Sequence, residues 1–454
     1  MKRRSFISLA SLALPSAVLA AQKTISCRVL VVGAGGAGLC AALEASSRVR
    51  DVILIDKESF IGGDTLISGG YFNAPDPELQ KKYGIADSKE LFYQHILESA
   101  NGKGNPKAQA RLAEFAYPTL EWLKELGVVF EDQIYQIYGS YYRRCHKPIL
   151  AVGKAYVQKL SEACLKNGVQ ILTSTRFVAF EKDADGGFTV QAVSGTDVIE
   201  IRCRALVLAA GGFGANPRLL KRYVPDLNFY YSDSKGMGEV LESAMKSGVK
   251  TENMDFIECV PEGSYLNKYS ARIYVLVHGM IFINEDGHRF ANEGATRKEL
   301  SSALIGQGKK KCFTIVDNAN LNLLDKLQKK HLYQAYFAGQ VWKADSIEAH
   351  CEEINVPSEA VKRSLEEVPA QNRPKVGPFW AVGMYPWVHY TLGGIAIDEE
   401  ARALDNDSRP IAGLYAAGQI TGSVHGQNRL GGNGLTDAFV FGRIAGINAA
   451  KYAK

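Results

Sequence analysis

Apolar and polar positions along this chain fall into a few recognisable units. "RVLVVGAGGAGLCAALEA", from Arg28, runs from a continuous apolar stretch through bare glycines into an alanine- and leucine-rich segment. That order predicts a buried strand, a tight turn and a helix. "DVILIDK" follows as a second apolar run ending near Asp56, which completes a βαβ unit. A strand running into a glycine turn comes back in "RALVLAAGGFG" (204–214) and in "GLYAAGQITG" (413–422). From about 256 to 390 the pattern breaks. Aromatic and basic residues mix there, no glycine fingerprint recurs, and the segment reads as a separate domain inserted in the first fold.

The amino terminus has its own pattern. "MKRRSFISLASLALPSAVLA" (1–20) has a basic start, an apolar run and a small-residue end, the layout of an export signal too short for a comfortable membrane span. Its Arg3-Arg4 pair suggests the twin-arginine route, which carries proteins already folded around a cofactor, with the general secretory route as the alternative. Both imply a periplasmic protein. No second apolar stretch is long enough to span a membrane, so the mature chain is expected to be soluble.

Composition adds limits. The 454 residues suffice for two or three domains. Hydrophobic residues make up 46% and charged residues 22%, which argues against disorder. The net charge of +5 is spread along the chain, so nucleic acid is a poor partner. The eight cysteines are far apart and include no C-x-x-C, which excludes the usual c-type haem motif and common zinc spacings. Cys40 falls in a predicted helix, so small core residues are the expected role for several of them, and no pairing can be deduced.

The glycines carry the first chemistry. Gly33, Gly35 and Gly38 have G-x-G-x-x-G spacing between strand and helix, and Asp56 lies 18 residues after the last of them. Glycines let backbone approach a pyrophosphate, the helix N-terminus favours its charge, and the acid accepts from a ribose hydroxyl. Further Gly-Gly turns, in "IGGDTLISGGYFN" (61–73) and "RALVLAAGGFG", with the glycine turn of "GLYAAGQITG", suit an extended FAD better than a nicotinamide dinucleotide.

Taken together, "VVGAGGAG", "IGGDTLISGG", "LAAGGFG", "NEDGHRFANEGATR", "VHYTLGG" and "GQITGSVHGQNRLGGN" resemble the flavoprotein part of soluble fumarate reductases of the flavocytochrome c type, over roughly residues 27 to 454. The resemblance implies an α/β fold, a Rossmann-like FAD-binding domain of the glutathione-reductase type with an inserted α+β clamp domain. The parts would be 24–255 and 391–454 for FAD and 256–390 for the clamp. It implies non-covalent FAD and reduction of the C=C bond of an unsaturated acid (a 2-enoate), with hydride from flavin N5 and a proton from Arg297. Arg429, in "QNRLGGN", would clamp the substrate carboxylate. A planar fork suits two oxygens, and bare glycines let substrate and flavin come close. His389, Gly432, Gly70 and Arg272 would complete the substrate site. Gly33, Gly35, Ala37, Gly38, Asp56, Lys57, Gly63, Asp64, Gly69, Gly70, Phe177, Gly211, Glu239, Tyr390, Gln419, Gly434 and Leu435 would hold the cofactor. The alternative for Arg429 is a pairing with a structural acid, and for Arg297 an ion pair with Glu293.

The chain also departs from that pattern. The family's histidine before a proline, which holds a second carboxylate, becomes Val260 before Pro261. A threonine–glutamate pair becomes Arg272–Ile273, and an arginine of the proton relay becomes Leu276. Tyr274, His278 or Glu293 could replace the relay. With Val260 and Ile273 the distal pocket turns apolar, so an acrylate-type or aryl-acrylate monocarboxylate is expected over fumarate, its tail against Tyr265, Tyr269 and Tyr274. With no haem motif in the chain, electrons are expected from a separately encoded cytochrome c or a quinol-linked donor, in a respiratory role. The alternatives are a succinate-forming fumarate reductase, a flavin dehydrogenase of the ketosteroid type and a non-catalytic flavin carrier.

Overall fold

The computed structural model describes residues 22–454 apart from 138, 151, 228–229, 233, 263–270, 272, 274–278, 296, 309 and 325. The expected export signal (1–20), Arg272, Tyr265, Tyr269, Tyr274, Leu276 and His278 lie outside the described residues, as does the side chain of Arg297.

The first sheet is built on parallel strands in the order Pro410–Ala416, Asp197–Leu208, Gln22–Val32, Val52–Ile55 and Gln170–Leu172. Val29 to Val32, Val52 to Ile55 and Ala205 to Leu208 are buried throughout. Unbroken apolar runs are what strands covered on both faces require. An antiparallel hairpin, Thr175–Lys182 and Phe188–Ser194, adds to the early half of Asp197–Leu208. The helix Gly36–Ser46 packs on the C-terminal helix Asn433–Tyr452. Their backbones meet closely because Gly442 and Gly446, one helical turn apart, present no side chain: a Cβ there would lie 2.4 Å from the Ala37 carbonyl oxygen and 2.2 Å from that of Ala41.

The second sheet is centred on the 13-residue strand Phe379–Thr391. Ile257–Glu262, Cys312–Asp317 and Val341–Ala344 pair with it antiparallel, and Met280–Asn284 lies outside Cys312–Asp317. Tyr231–Ser232 joins in parallel from upstream of the 256–390 segment. Alternate residues supply two cores. Met280, Phe282, Val316, Trp380 and Val382 pack with Leu300, Leu304 and Leu332 on one face; Ile281, Ile283, Phe313, Ile315 and Ala381 pack with Cys351, Ile354 and Val361 on the other.

The central strand also links the two sheets. Its last residue, Thr391, sits against the glycine turn after Asp197–Leu208, where a Cβ on Gly212 would fall 2.0 Å from Thr391 Oγ1. Close to that end the pairing slips: Glu258 opposes Tyr390 and Cys259 opposes Val388, so His389 is the extra residue of a β-bulge. A bulge re-aims side chains at the end of a strand. His389 and Tyr390 are thereby delivered to the edge of the glycine turns.

Candidate active site: a flavin cradle and an occupied arginine

Three strand-ends and one helix start converge. At Gly33 the backbone has φ of +105°, and a Cβ would lie 2.4 Å from the Ala209 carbonyl oxygen, which brings the first turn against the second. Ala37 approaches Gly418 of the third turn, and Gly212 approaches Gln419. On the Cβ side of Gly35 and of Gly211, by contrast, nothing lies within 4 Å. These are bare backbone faces next to open space, at the start of an 11-residue helix and at the head of the second turn.

Asp56 accepts from the backbone N–H of Ala34 at 2.6 Å and of Glu58 at 2.8 Å, so it ties the end of its strand to the glycine loop. Burial raises its pKa. Lys57 pairs with Glu239 at 3.1 Å across the cradle mouth. Asp64, in the short helix Gly63–Ile67, accepts from Ser234 Oγ at 3.1 Å and from the Lys235 amide at 3.3 Å, and burial raises its pKa too. Gly69 and Gly70 follow; the carbonyl of Gly70 accepts from Tyr156 Oη at 2.8 Å. Phe177 is buried on the hairpin. Gly434 and Leu435 begin the C-terminal helix, and a Cβ on Gly434 would touch the Tyr390 ring at 3.4 Å. The Gln419 side-chain amide nitrogen is buried without a partner. Bare glycine faces, an orphaned donor and buried acids beside the first turn are what an extended dinucleotide would satisfy, so the residues fit FAD.

Arg429 is buried at 5% exposure in the corner between the cradle and the second sheet. Its guanidinium lies over the Tyr390 ring, 4.8 Å from the centroid. Nη1 donates to the Leu430 carbonyl at 3.2 Å, Nη2 donates to Glu258 Oε1 at 2.6 Å, and Nε is buried without a partner. The protein thus supplies an acid of its own to Arg429. Tyr390 Oη donates to Asp437 Oδ2 at 3.4 Å, and burial holds the phenol protonated well above its usual range. His425 Nε2 lies 3.3 Å from the same Asp437 oxygen without hydrogen-bond geometry, its ring edge-on to Tyr390 with centroids 5.6 Å apart. Gly432, at φ of +88°, lets the loop turn into the C-terminal helix, and a Cβ there would meet Asn73 Oδ1 at 2.7 Å. Asn73 in turn donates to the Gly431 carbonyl at 2.7 Å and to Asn433 Oδ1 at 2.6 Å.

Arg297 opens the helix Arg297–Gly306, which is tied to the Glu258 strand by a bond from Ser301 Oγ to the Cys259 carbonyl at 2.7 Å. Both Glu293 oxygens accept from Arg289, at 2.9 and 2.7 Å. The eight cysteines are all free and buried. Asn73, Glu258, His425 and Asp437 were not expected as site residues. His425 stands in the quoted loop motif, whereas nothing in a strand reading singles out Glu258.

The fold and its glycine turns define a flavin-binding protein. Residues 28–435 match the family described as FAD binding domain, and the chain belongs to it. It is 31% identical to a fumarate reductase (cytochrome) of Shewanella frigidimarina over 94% of this chain and 77% of that protein. It is 32% identical to an NADH:fumarate oxidoreductase of Klebsiella pneumoniae over 94% of this chain, and spans 48%, about half, of that protein's length. The open conformation of a flavocytochrome c3 fumarate reductase superposes with a TM-score of 0.82 at 30% identity, covering 94% of this chain and 78% of that one. The chain is a member of the flavocytochrome c-type fumarate reductase flavoproteins, an oxidoreductase with FAD as its cofactor. Among the described residues no helix is long and apolar enough to cross a membrane.

Proposed function

We propose that this protein reduces the C=C bond of an unsaturated monocarboxylic acid of the acrylate or aryl-acrylate type. The observation that carries the reading is Arg429, buried beside the cradle over Tyr390 with its Nε–H unpartnered. A buried donor without an acceptor calls for one, and a carboxylate is the acceptor a guanidinium edge fits best.

FAD, when bound, supplies a hydride to the β-carbon. The chain's own residues do the rest. Arg429 holds the carboxylate and stabilises the negative charge that develops towards it as the β-carbon is attacked. His389, aimed by the bulge, binds the same end. Arg297 delivers a proton to the α-carbon, which leaves the saturated acid. A guanidinium acts as an acid only as a relay, giving up one proton as another arrives.

Val260 is buried opposite Trp387, and Ile273 packs into the core with Met280, Phe282 and Leu300. A second carboxylate placed there would meet a desolvation cost of about 2 kcal/mol or more without a partner. A single carboxylate with an apolar tail avoids it. Succinate formation from fumarate is the second reading, favoured by the names of the similar enzymes. The leader points to export by the twin-arginine route and a respiratory role, with electrons from a separate cytochrome c or quinol-linked protein.

Anaerobic oxidation of reduced viologen by the FAD-loaded protein tests the substrate. Fumarate, acrylate, methacrylate, cinnamate, caffeate and urocanate are compared. Turnover with a monocarboxylate and none with fumarate is expected. Preference for fumarate overturns the apolar-pocket reading.

A further inference from the structure

The turn that follows Arg429 cannot hold its shape by side-chain packing alone. It runs from Leu430 to Asn433 and contains Gly431 and Gly432, which have no side chains to anchor. Glycine also loses more freedom on ordering than any other residue. Hydrogen bonds therefore set the place of the turn. Gly431 N–H donates to the Gly139 carbonyl at 2.8 Å, and Asn433 N–H donates to the Leu430 carbonyl at 3.0 Å. The same Leu430 carbonyl accepts from Nη1 of Arg429 at 3.2 Å, which ties the set of the guanidinium to the shape of the turn.

Asn73 commits its side chain to this turn. It is 1% exposed and stands on the short strand Phe72–Asn73, just after the Gly69–Gly70 turn. One N–H of its amide goes to the Gly431 carbonyl at 2.7 Å and the other to Asn433 Oδ1 at 2.6 Å. Its backbone N–H donates to Thr436 Oγ1 at 2.8 Å, within the C-terminal helix. The amide oxygen accepts from Cys145 Sγ at 2.7 Å, across the strand pair. Turned over, the amide would set its oxygen against the Gly431 carbonyl and its NH₂ against a thiol, a weak acceptor. Burial pushes the Cys145 thiol up to about 12, so it keeps the proton it donates.

We infer that Asn73 is a positioning residue for the substrate carboxylate: it fixes the 430–433 turn and, through the Leu430 carbonyl, the set of Arg429, while the Cys145 S–H fixes which way the amide faces. A chain of buried hydrogen bonds thus runs from Cys145 through Asn73, Asn433 and Leu430 to Arg429, and only Arg429 meets the acid. The inference rests on the reading of Arg429 as the carboxylate clamp.

The test uses oxidised, FAD-loaded protein and the non-reducible acids propionate and 3-phenylpropionate, with binding followed by the flavin absorbance change. N73A should bind each acid at least about tenfold more weakly, as expected when buried hydrogen bonds are lost. With an unsaturated acid its KM should rise by a similar factor while kcat falls less than about threefold, the mark of lost binding rather than lost chemistry. A role in folding alone would lower FAD content or melting temperature and leave acid affinity of the FAD-loaded fraction unchanged; that result overturns the inference. C145V nearly keeps the volume of the thiol but has no donor, and C145S restores one. C145V should bind acid about threefold or more weakly and C145S should recover it, a comparison that also serves should N73A fail to load FAD. Equal affinity in C145V and C145S overturns the inference. The double variant N73A/C145V should bind acid no more weakly than N73A, since the thiol acts through the amide, and additive losses overturn the chain of bonds. Turnover of an unsaturated acid with KM unchanged in N73A sinks this inference alone. Weakened binding of saturated acids in N73A, with no unsaturated acid reduced by the wild type, sinks the functional reading alone.

Discussion

Gly35 and Gly38 stand in one turn, three residues apart, with opposite surroundings. A Cβ on Gly38 would lie 1.7 Å from the Gly33 carbonyl oxygen, whereas a Cβ on Gly35 would meet nothing within 4 Å. Gly38 is bare so that helix and strand can pack; Gly35 is bare on a face that the protein itself leaves open. Gly35→Ala is therefore expected to fold like the wild type but to bind FAD at least about tenfold more weakly, since a methyl group enters the pyrophosphate's approach. Gly38→Ala should fail to give soluble protein. Apoprotein melting together with FAD titration separates the two. Equal FAD affinity in wild type and Gly35→Ala would contradict this placement of the cofactor.

Arg429 and Glu258 are each other's charge partner in a buried site. Arg429→Met removes the guanidinium that donates to buried Glu258 at 2.6 Å, which costs about 3–5 kcal/mol. The double variant Arg429→Met with Glu258→Met should recover most of that stability in urea unfolding, because two apolar groups replace a buried pair. It should recover no turnover, because the carboxylate clamp is gone. Restored turnover would assign Arg429 to structure alone.

Arg297→Ala is expected to lower kcat by about 10²–10⁴-fold, the usual range for loss of a positioned proton donor. Its FAD content should be unchanged, since the residue opens a helix bonded to the second sheet through Ser301. A pure electron carrier would pass electrons from a reduced dye to an acceptor protein equally well with or without Arg297.

Acid should weaken the fold through two histidines. Burial lowers the pKa of His350 to about 4, and His146 is lowered to about 4 by the same cause. Both nitrogens of His350 lack partners. A histidine with a depressed folded pKa contributes fully above its unfolded value of about 6.5 and loses that contribution as pH falls. Each group should cost about 1.4 kcal/mol per pH unit between about 6.5 and 4. His350→Leu should remove one such slope, read from urea midpoints at pH 7.5 and 5.5. An unchanged slope would mean that His350 gains its proton without opening the fold.

The flavin fold was legible because its signals are local. A buried parallel strand needs an unbroken apolar run, and a close backbone approach needs glycine, so Val29 to Gly38 declares itself within ten residues. The second sheet was less legible. Its central strand has long-range partners on both sides, and the His389 bulge exists only in the register with Glu258 and Cys259. Glu258 itself gave no signal, since an acid in a strand reads as a solvent-facing residue until the fold brings it to Arg429, 171 positions away. Nor does the sequence single out Arg289, four residues before Glu293, as the donor to both Glu293 oxygens.

The central claim is that the reduced flavin of this protein empties its electrons into an unsaturated acid held by Arg429. The most direct measurement mixes chemically reduced, FAD-loaded protein anaerobically with each candidate acid and follows flavin absorbance in a stopped-flow cell, with analysis of the products. Reoxidation within one turnover is expected for a monocarboxylic 2-enoate, with one saturated acid formed per flavin and none in Arg429→Met. A flavin that stays reduced with every acid, or reoxidises without saturated product, would contradict the account.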